Sequence, residues 1–325
     1  MERIDVMSLA SRLGTEADAY AFLEELRWNG QPECPHCAST RAYFLNPANG
    51  VSRKTRTGAA SERRVWKCAE CRKQFSALTG TIFHGSKISV RIWLFVLFEM
   101  CCSKNGVSAR EVQRKYGLTA KSAWFMTHRI REAMKLEPLA GMLRGTVVAD
   151  EAFVGGKPGN MHASKRAALR PEGEYVPKKV AILSLIDTAT GEVRSQVVRD
   201  VTGATLRKAM ASHVDFANTT LHTDAAASYR SFSSEFASHQ SVNHEQGEYV
   251  RDGVSTNKAE NFFSQLKRSL DGTHHKVSRE HLHRYLAEFD YRYSTRKLSD
   301  TERTRKLVKQ VGGRRLTYRP LTARA

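Results

Sequence analysis

Two Cys-x-x-Cys knuckles, Cys34-Pro-His-Cys37 and Cys68-Ala-Glu-Cys71, constrain this chain more than any other feature. Thirty residues separate them. Each knuckle can present two sulfurs to one tetrahedral ion, so Cys34, Cys37, Cys68 and Cys71 read as a four-thiolate site for one structural Zn2+. Disulfides are the poorer explanation. The opening MERIDVMSLASRLGTEAD carries acids and no apolar signal segment, which points to the reducing cytoplasm. The separation exceeds the common ~15–20 residues. The surplus, Pro47–Arg64, is rich in Gly, Ser, Lys and Arg and reads as a hairpin loop. Tyr43-Phe44-Leu45 and Arg64-Val65-Trp66-Lys67 would be its strands, which makes a zinc ribbon. Cys101 and Cys102 lie side by side in an apolar segment and read as buried helix residues.

Charge narrows the partner. Lys and Arg total 52 against 33 Asp and Glu, a net charge of +19. That balance calls for a polyanion. The longest apolar run, Ile92–Phe98, has seven residues, far below the ~20 that span a bilayer, so nucleic acid is the partner expected and a membrane is not. With 41% hydrophobic residues over 325 positions, the chain can bury a core in two or three domains.

Along the chain, residues 1–30 contain an amphipathic helix over 16–28, with Ala19, Phe22, Leu23 and Leu26 on one face. The ribbon takes 31–80. Within 86–137, Ser89 caps an apolar helix, and Ser108-Ala-Arg-Glu111 is a capping box opening another. That helix meets Gly117, and Thr119 caps the next, AKSAWFMTHRIREAMK. Two helices about a short Gly turn form a helix-turn-helix. Lys121, Ser122, Thr127, His128, Arg129 and Arg131 are available for DNA, the early residues nearest the base edges. Lys121, Ser122 and Arg129 are the contacts chosen.

After Pro138–Gly145 the pattern becomes α/β over 145–295. Strands are read at Thr146–Val154, Val180–Asp187, Val193–Val198 and Thr219–Asp224. Helices are read at Thr205–Val214, Tyr229–Phe236, Val254–Leu270 and His281–Tyr293. Residues 157–179 read as a basic loop. A meander of three strands followed by alternating α/β is the order of a ribonuclease-H-like fold. Residues 296–325 carry ten basic and two acidic residues, +8 net, and read as a basic tail, solvated or in contact with phosphate.

Phosphodiester transfer on DNA uses two Mg2+ ions, which want carboxylate oxygens on rigid elements. Asp150 lies near the end of the first strand of this region, Asp224 closes the fourth, and Glu260 follows Asp224 after 35 intervening residues, on a helix. On that helix Asn257, Glu260, Asn261, Ser264 and Lys267 share a face, while Phe262, Phe263 and Leu266 share another. Three carboxylates pointed together repel one another unless a cation lies between them. Glu151 is the rival of Asp150, but strand neighbours face opposite sides. His222 shares the strand face of Asp224 and reads as structural.

CPHC…CAEC, FSALTGTIFHGSKISVRIWL, VVADEAFVGGK, LHTDAAASY and STNKAENFFSQLKR together resemble the insertion-sequence transposases of the DDE type with an N-terminal zinc ribbon, the ISXO-like group of bacterial elements. The resemblance spans nearly the whole chain. It implies end cleavage and strand transfer at inverted terminal repeats, with two Mg2+ (or Mn2+) ions at Asp150, Asp224 and Glu260. It also implies double-stranded DNA as partner, a homo-oligomer on that DNA, and a nucleoid-associated protein. Lys267 matches the basic residue after the last acid; Lys157 and Arg268 join it as DNA contacts. Ala152 stands where Ser or Thr is usual after Asp-Glu. The rival reading, a non-enzymatic zinc-ribbon and helix-turn-helix regulator, has no need of the intact acid triad.

Overall fold

The computed structural model describes residues 3–45, 62–136, 141–155, 179–243 and 250–322, with Lys54, Gly58, Gln246 and Glu248 as single positions between them. They form two units, residues 1–135 with 296–325, and residues 136–295.

The first unit begins with α1 (Val6–Arg12) and α2 (Glu16–Trp28), each opened by a capping box, Asp5 with Ser8 and Thr15 with Asp18. Strands β1 (Ala42–Phe44), β2 (Trp66–Cys68) and β3 (Gln74–Phe75) form an antiparallel sheet in that order. Its inner face gathers Trp28, Trp66 and Phe75 around Cys34 and Cys68. Helix α2 is tied to this sheet through Glu24, which is buried and accepts from Arg64 Nε at 2.7 Å and Trp66 Nε1 at 2.8 Å. Helix α3 (Val90–Cys102) is apolar and mostly buried. Its first turn lacks an acid of its own, and the Glu16 carboxylate of α2 accepts from Val90 N at 2.6 Å instead. Helices α4 (Ala109–Tyr116) and α5 (Ala120–Met134) carry the expected caps. Ser108 Oγ and Thr119 Oγ1 each accept at 3.1 Å, from Glu111 N and Ser122 N. Gly117 ends α4 at φ +62°, a left-handed position that glycine adopts without steric cost.

The second unit is built on β4 (Leu143–Val154), β5 (Val180–Asp187), β6 (Val193–Val198), α6 (Gly203–Ala211), β7 (Val214–Asp224), β8 (Ser238–Val242), α7 (Asn257–Ser269) and α8 (Arg279–Ser294). The five strands lie in the order β6-β5-β4-β7-β8. The β4–β5 and β5–β6 pairs are antiparallel, while β4–β7 and β7–β8 are parallel. Both faces are covered. Val148, Ala152 and Val154 of β4 pack with Phe262, Phe263 and Leu266 of α7 and with Leu282, Leu286 and Phe289 of α8. Val147 and Ala149 point the other way, to Leu206 and Met210 of α6 and to Tyr229 and Phe232.

The chain then returns to the first unit with α9 (Asp300–Lys309) and α10 (Tyr318–Thr322). The segment 296–325 therefore departs from a solvated tail. Helix α9 packs on α2 and α3, with Leu307, Val308 and Val311 fully buried. Ile82 N donates to Val311 O, and Gly313 N donates to Gly80 O at 2.9 Å. Its cations mask an apolar stripe with helical spacing. Other differences are local. Val6–Arg12 adds a helix. Residues 229–236 form two short 3-10 turns, Ala227–Tyr229 and Ser233–Glu235, rather than one helix. The fifth strand, β8, is polar (SHQSV) and sits at the sheet edge, where one-sided burial leaves little hydrophobic signal. Most of the ribbon loop and residues 156–178 lie outside the described residues.

Helix α8 is fastened to β6 by Asp290. Its carboxylate accepts from Ser195 N and Ser195 Oγ, both at 2.7 Å, and the Ser195 hydroxyl contacts Ser184 Oγ at 2.8 Å. Burial pushes the Asp290 carboxyl up to about 7. In the unfolded chain an Asp releases its proton near pH 3.9. Between about pH 4 and pH 7 the folded state thus holds the extra proton, and stability falls as pH rises through that window. Scanning calorimetry should show a lower Tm at pH 7.5 than at pH 5. Asp290→Asn, which keeps an acceptor for Ser195, should shrink that difference. An identical pH dependence in the variant would remove Asp290 from this account.

Candidate active site and metal centre

Strand alternation decides which acid of the Asp150-Glu151 pair faces which way. Val148 and Ala152 lie on the α7 side of the sheet and Val147 and Ala149 on the other, so Asp150 faces α7 and Glu151 faces away. The parallel register pairs Val148 with His222. The pairing ends there, and strand alternation carried two residues further puts Asp150 and Asp224 on the same face of neighbouring strands. His222, 8% exposed, lies on that face beneath them. Backbone amides orient both carboxylates: Glu151 N donates to Asp150 Oδ1 at 2.7 Å, and Ala226 N to Asp224 Oδ1 at 3.1 Å.

Helix α7 brings the third acid. Its Phe262, Phe263 and Leu266 are pinned to the sheet, which turns Glu260 to the cleft. This cleft, of about 650 Å3, is lined by Asp150, Glu151, Glu260, Phe263, Ser264, Lys267, Arg268 and Asp271. Asp224 is on the neighbouring strand, outside the lining. Arg268 turns back on its helix, its Nε donating to Ser264 O at 3.3 Å. Asp271 escaped the sequence reading although the periodicity contains it: eleven residues from Glu260 is three turns.

Glu151, on the opposite strand face by alternation, nevertheless lines the same cleft as Asp150 and Glu260 and has a further contact on its own side. Tyr229 Oη donates to Glu151 Oε1 at 2.5 Å, and Tyr229 is wholly buried. Burial, with the adjacent Asp150 and Asp224 charges, pushes the Glu151 carboxyl up to about 7, against the Tyr229 hydrogen bond. Crowded negative charge of this kind suits a divalent cation, and oxygen-only donors suit a hard one such as Mg2+. The three acids are nevertheless not drawn up to ion-holding spacing. Among the described residues, only the four thiolates are.

Those thiolates fit zinc. The four sulfurs lie within 4.8 Å of one another, with Cys34–Cys71 and Cys37–Cys68 Sγ pairs at 3.6 Å. A tetrahedron with Zn–S of about 2.3 Å has edges of roughly 3.8 Å. Backbone amides of Cys71 and Glu70 favour the Cys68 thiolate, while burial and the neighbouring sulfurs hold the Cys37 thiol up, so a cation is what would let all four ionise together.

The expected DNA contacts separate. Lys121 is exposed and Ser122 half-buried on the first turn of α5, and Lys121 Nζ sits 4.4 Å over the Tyr318 ring. Lys267 and Arg268 wall the cleft. Arg129 is a correction. It is 4% exposed, donates to His84 O at 2.7 Å, and lies over the Trp93 and Phe125 rings at 5.3 and 5.2 Å. Thr127, His128 and Arg131 are buried as well. Beyond its first turns α5 is enclosed nearly all round, so its cations cannot be read as a solvent face. Lys157 lies outside the described residues.

Comparison with known proteins gives two family matches. Residues 142–294 match the ISXO2-like transposase domain, and residues 14–74 match the transposase zinc-ribbon domain, a stretch that takes in α2. The chain is 25% identical over 284 residues to an uncharacterized protein in the transposable element ISH50 of Halobacterium salinarum, covering 86% of this chain and 90% of that one. Among solved structures, it aligns with a chain of the simian T-cell lymphotropic virus intasome bound to a PP2A regulatory subunit, at 13% identity and a TM-score of 0.27, over 61% of this chain and 64% of that one.

The four-thiolate geometry makes a closed site. Purified, unchelated protein should carry one zinc per chain by elemental analysis. Cys68→Ser should lose it and expose the ribbon to proteolysis, with the 136–295 unit still protected. Metal-free wild-type protein with an intact ribbon would contradict this assignment.

Proposed function

The chain belongs, through both matched domains, to the zinc-ribbon insertion-sequence transposases of the ISXO2-like group, and from that premise we propose that it cuts DNA at the inverted terminal repeats of its element and joins the freed ends to target DNA. The observation that carries this reading is the cleft of the second unit. Asp150 and Asp224 share one sheet face, α7 turns Glu260 to that face, and Lys267 and Arg268 stand in the same cleft. The strand order and directions of this unit support a ribonuclease-H-like core.

Asp150, Asp224 and Glu260 would together hold two Mg2+ (or Mn2+) ions, which supply an activated water, and then an activated 3′-hydroxyl, for in-line displacement at phosphorus. No side chain needs to become covalently attached to DNA. Drawing the acids to working distance is a task for bound metal and DNA, since mutual repulsion opposes it in their absence. Tyr229 holds Glu151 and through it the end of β4, which keeps Asp150 in place. Lys267 lies seven residues beyond Glu260 on the same helix face and supplies a point charge for the backbone phosphate beside the scissile bond.

Recognition of the ends falls to the first unit. The α4–α5 pair is read as a helix-turn-helix, with contacts confined to Lys121 and Ser122 at the open N-terminal turn of α5. A homo-oligomer on DNA follows from the need to hold two element ends together.

Asp224→Ala should abolish end cleavage and strand joining in Mg2+ while leaving affinity for the ends within about twofold, because affinity comes from the basic modules. Normal joining by this variant would remove Asp224 from the metal set. Lys267→Ala should weaken binding to pre-cleaved ends and lower the slope of log K against log salt by about 0.9, one phosphate's worth. Lys267→Arg should restore most of the slope. An unchanged slope in the alanine variant would leave Lys267 a surface residue.

A further inference from the structure

The zinc ribbon has two faces, and only one is spent on folding. The inner face holds Trp66, Cys68 and Phe75, with Phe44 paired to Trp66 and set edge-on to it at 5.4 Å, and Trp28 of α2 set edge-on to both Trp66 and Phe75 at 6.0 and 5.9 Å. The register fixes what the outer face carries. Tyr43 of β1 pairs with Lys67 of β2, and Lys67 pairs with Gln74 of β3, so one row crosses all three strands. Tyr43 is 45% exposed, Gln74 is exposed and Lys67 is half-exposed. An aromatic ring, a cation and an amide stand side by side, although no fold requirement puts them there.

The surroundings are basic. Arg72 and Lys73 are exposed at the second knuckle, beside the row. The acid nearby, Glu70, is engaged by Arg41 at 2.6 Å. Lys67, Arg72 and Lys73 make no ion pair with a carboxylate among the described residues, and the two negative charges left on a Zn2+ held by four thiolates would offset only part of them.

The geometry points to the outer face of the ribbon, through Tyr43, Lys67 and Gln74, as a surface that docks in the major groove of the double-stranded DNA at the element's ends. This rests on the transposase reading and adds to it a second recognition surface besides α5. The major groove, about 12 Å wide, admits a two-stranded β-ribbon, which any neighbouring pair of these short strands provides, and the full row spans about 10 Å between its outer strand axes. The three side chains have separable tasks. Lys67 offers a point charge to phosphate. Gln74 offers an amide that can donate to and accept from an adenine edge at once. The Tyr43 ring is an apolar surface for a thymine methyl, and its hydroxyl can reach the backbone.

The test uses the full-length zinc-loaded chain and two duplexes of equal length, one taken from the DNA flanking its own reading frame and one with that sequence scrambled. Zinc content is measured for every variant. Lys67→Ala should weaken binding to both duplexes and lower the salt slope by about 0.9. Gln74→Ala should leave the slope alone and cut the preference for the flanking duplex about tenfold. Tyr43→Ala should lose affinity that Tyr43→Phe largely keeps. On unmodified protein, the flanking duplex should protect Lys67 from amine-reactive labelling, which needs no variant to fold. Wild-type slope and preference in all variants, or an unprotected Lys67, would overturn the inference. The enzymatic reading is scored apart, by Mg2+-dependent cleavage with wild-type protein. Cleavage with indifferent ribbon variants removes the docking surface alone. Altered binding without wild-type cleavage removes the enzymatic reading alone.

Discussion

The parallel pairing of β4 with β7 is the constraint on which the second unit depends. Its register, Val147 with Leu221 and Val148 with His222, sets the end of β7 alongside the last third of β4, where Asp150 lies. A shift of one residue would turn Asp224 to the opposite sheet face and bury its carboxylate among Leu206, Met210 and Phe232. The register is held from both sides. Val148 is locked by Phe262 and its neighbours, and Val147 and Leu221 by the core around Met210. The carboxylates therefore sit where hydrophobic burial gives way to half-exposed positions on both strands. Helix α7 obeys the same logic, since the aromatic pair that seals its inner face is what aims Glu260.

Much of this was legible in the sequence because it is periodic or spaced. The knuckles announce a four-ligand site by spacing alone. The caps Ser108 and Thr119 and the stop Gly117 mark helix ends through local chemistry, and each cap is typically worth ~1 kcal/mol. Strand alternation separates Asp150 from Glu151 by face, but it does not show that both carboxylates line one cleft. What the sequence hid was tertiary. Arg129 has the composition of a surface contact, but the ring faces of Trp93 and Phe125 and the His84 carbonyl take it in, forty-five residues away from that carbonyl in the chain. No local pattern encodes such a partner. Burial lowers the Arg129 guanidinium to about 10, a direction set by desolvation. Strand β8 was hidden for the opposite reason: an edge strand of Ser, His and Gln has little apolar burial to advertise.

Glu24 shows how a buried charge can organise a small metal domain. The ribbon sheet is short, and a three-stranded sheet with few core residues is marginal without help. A zinc ion held by the four thiolates would supply one staple. The Arg64 and Trp66 bonds to Glu24 supply another, and they fix α2 against the same aromatic cluster that surrounds the thiolates. The matched zinc-ribbon segment begins at residue 14, before α2, in keeping with a helix that is part of the metal domain.

The return of α9 to the first unit has a consequence for the order of synthesis. Residues 136–295 are an insertion of 160 residues between the two parts of that unit. A ribosome adds roughly 5–20 residues per second, so the insertion occupies roughly 8 to 32 s of translation. Throughout that interval the apolar faces of α2 and α3 lack Leu307, Val308 and Val311. The second unit emerges whole and can close first. The first unit is the earliest begun and the last finished, and the apolar surface that Leu307, Val308 and Val311 cover stays open until the closing helix leaves the exit tunnel.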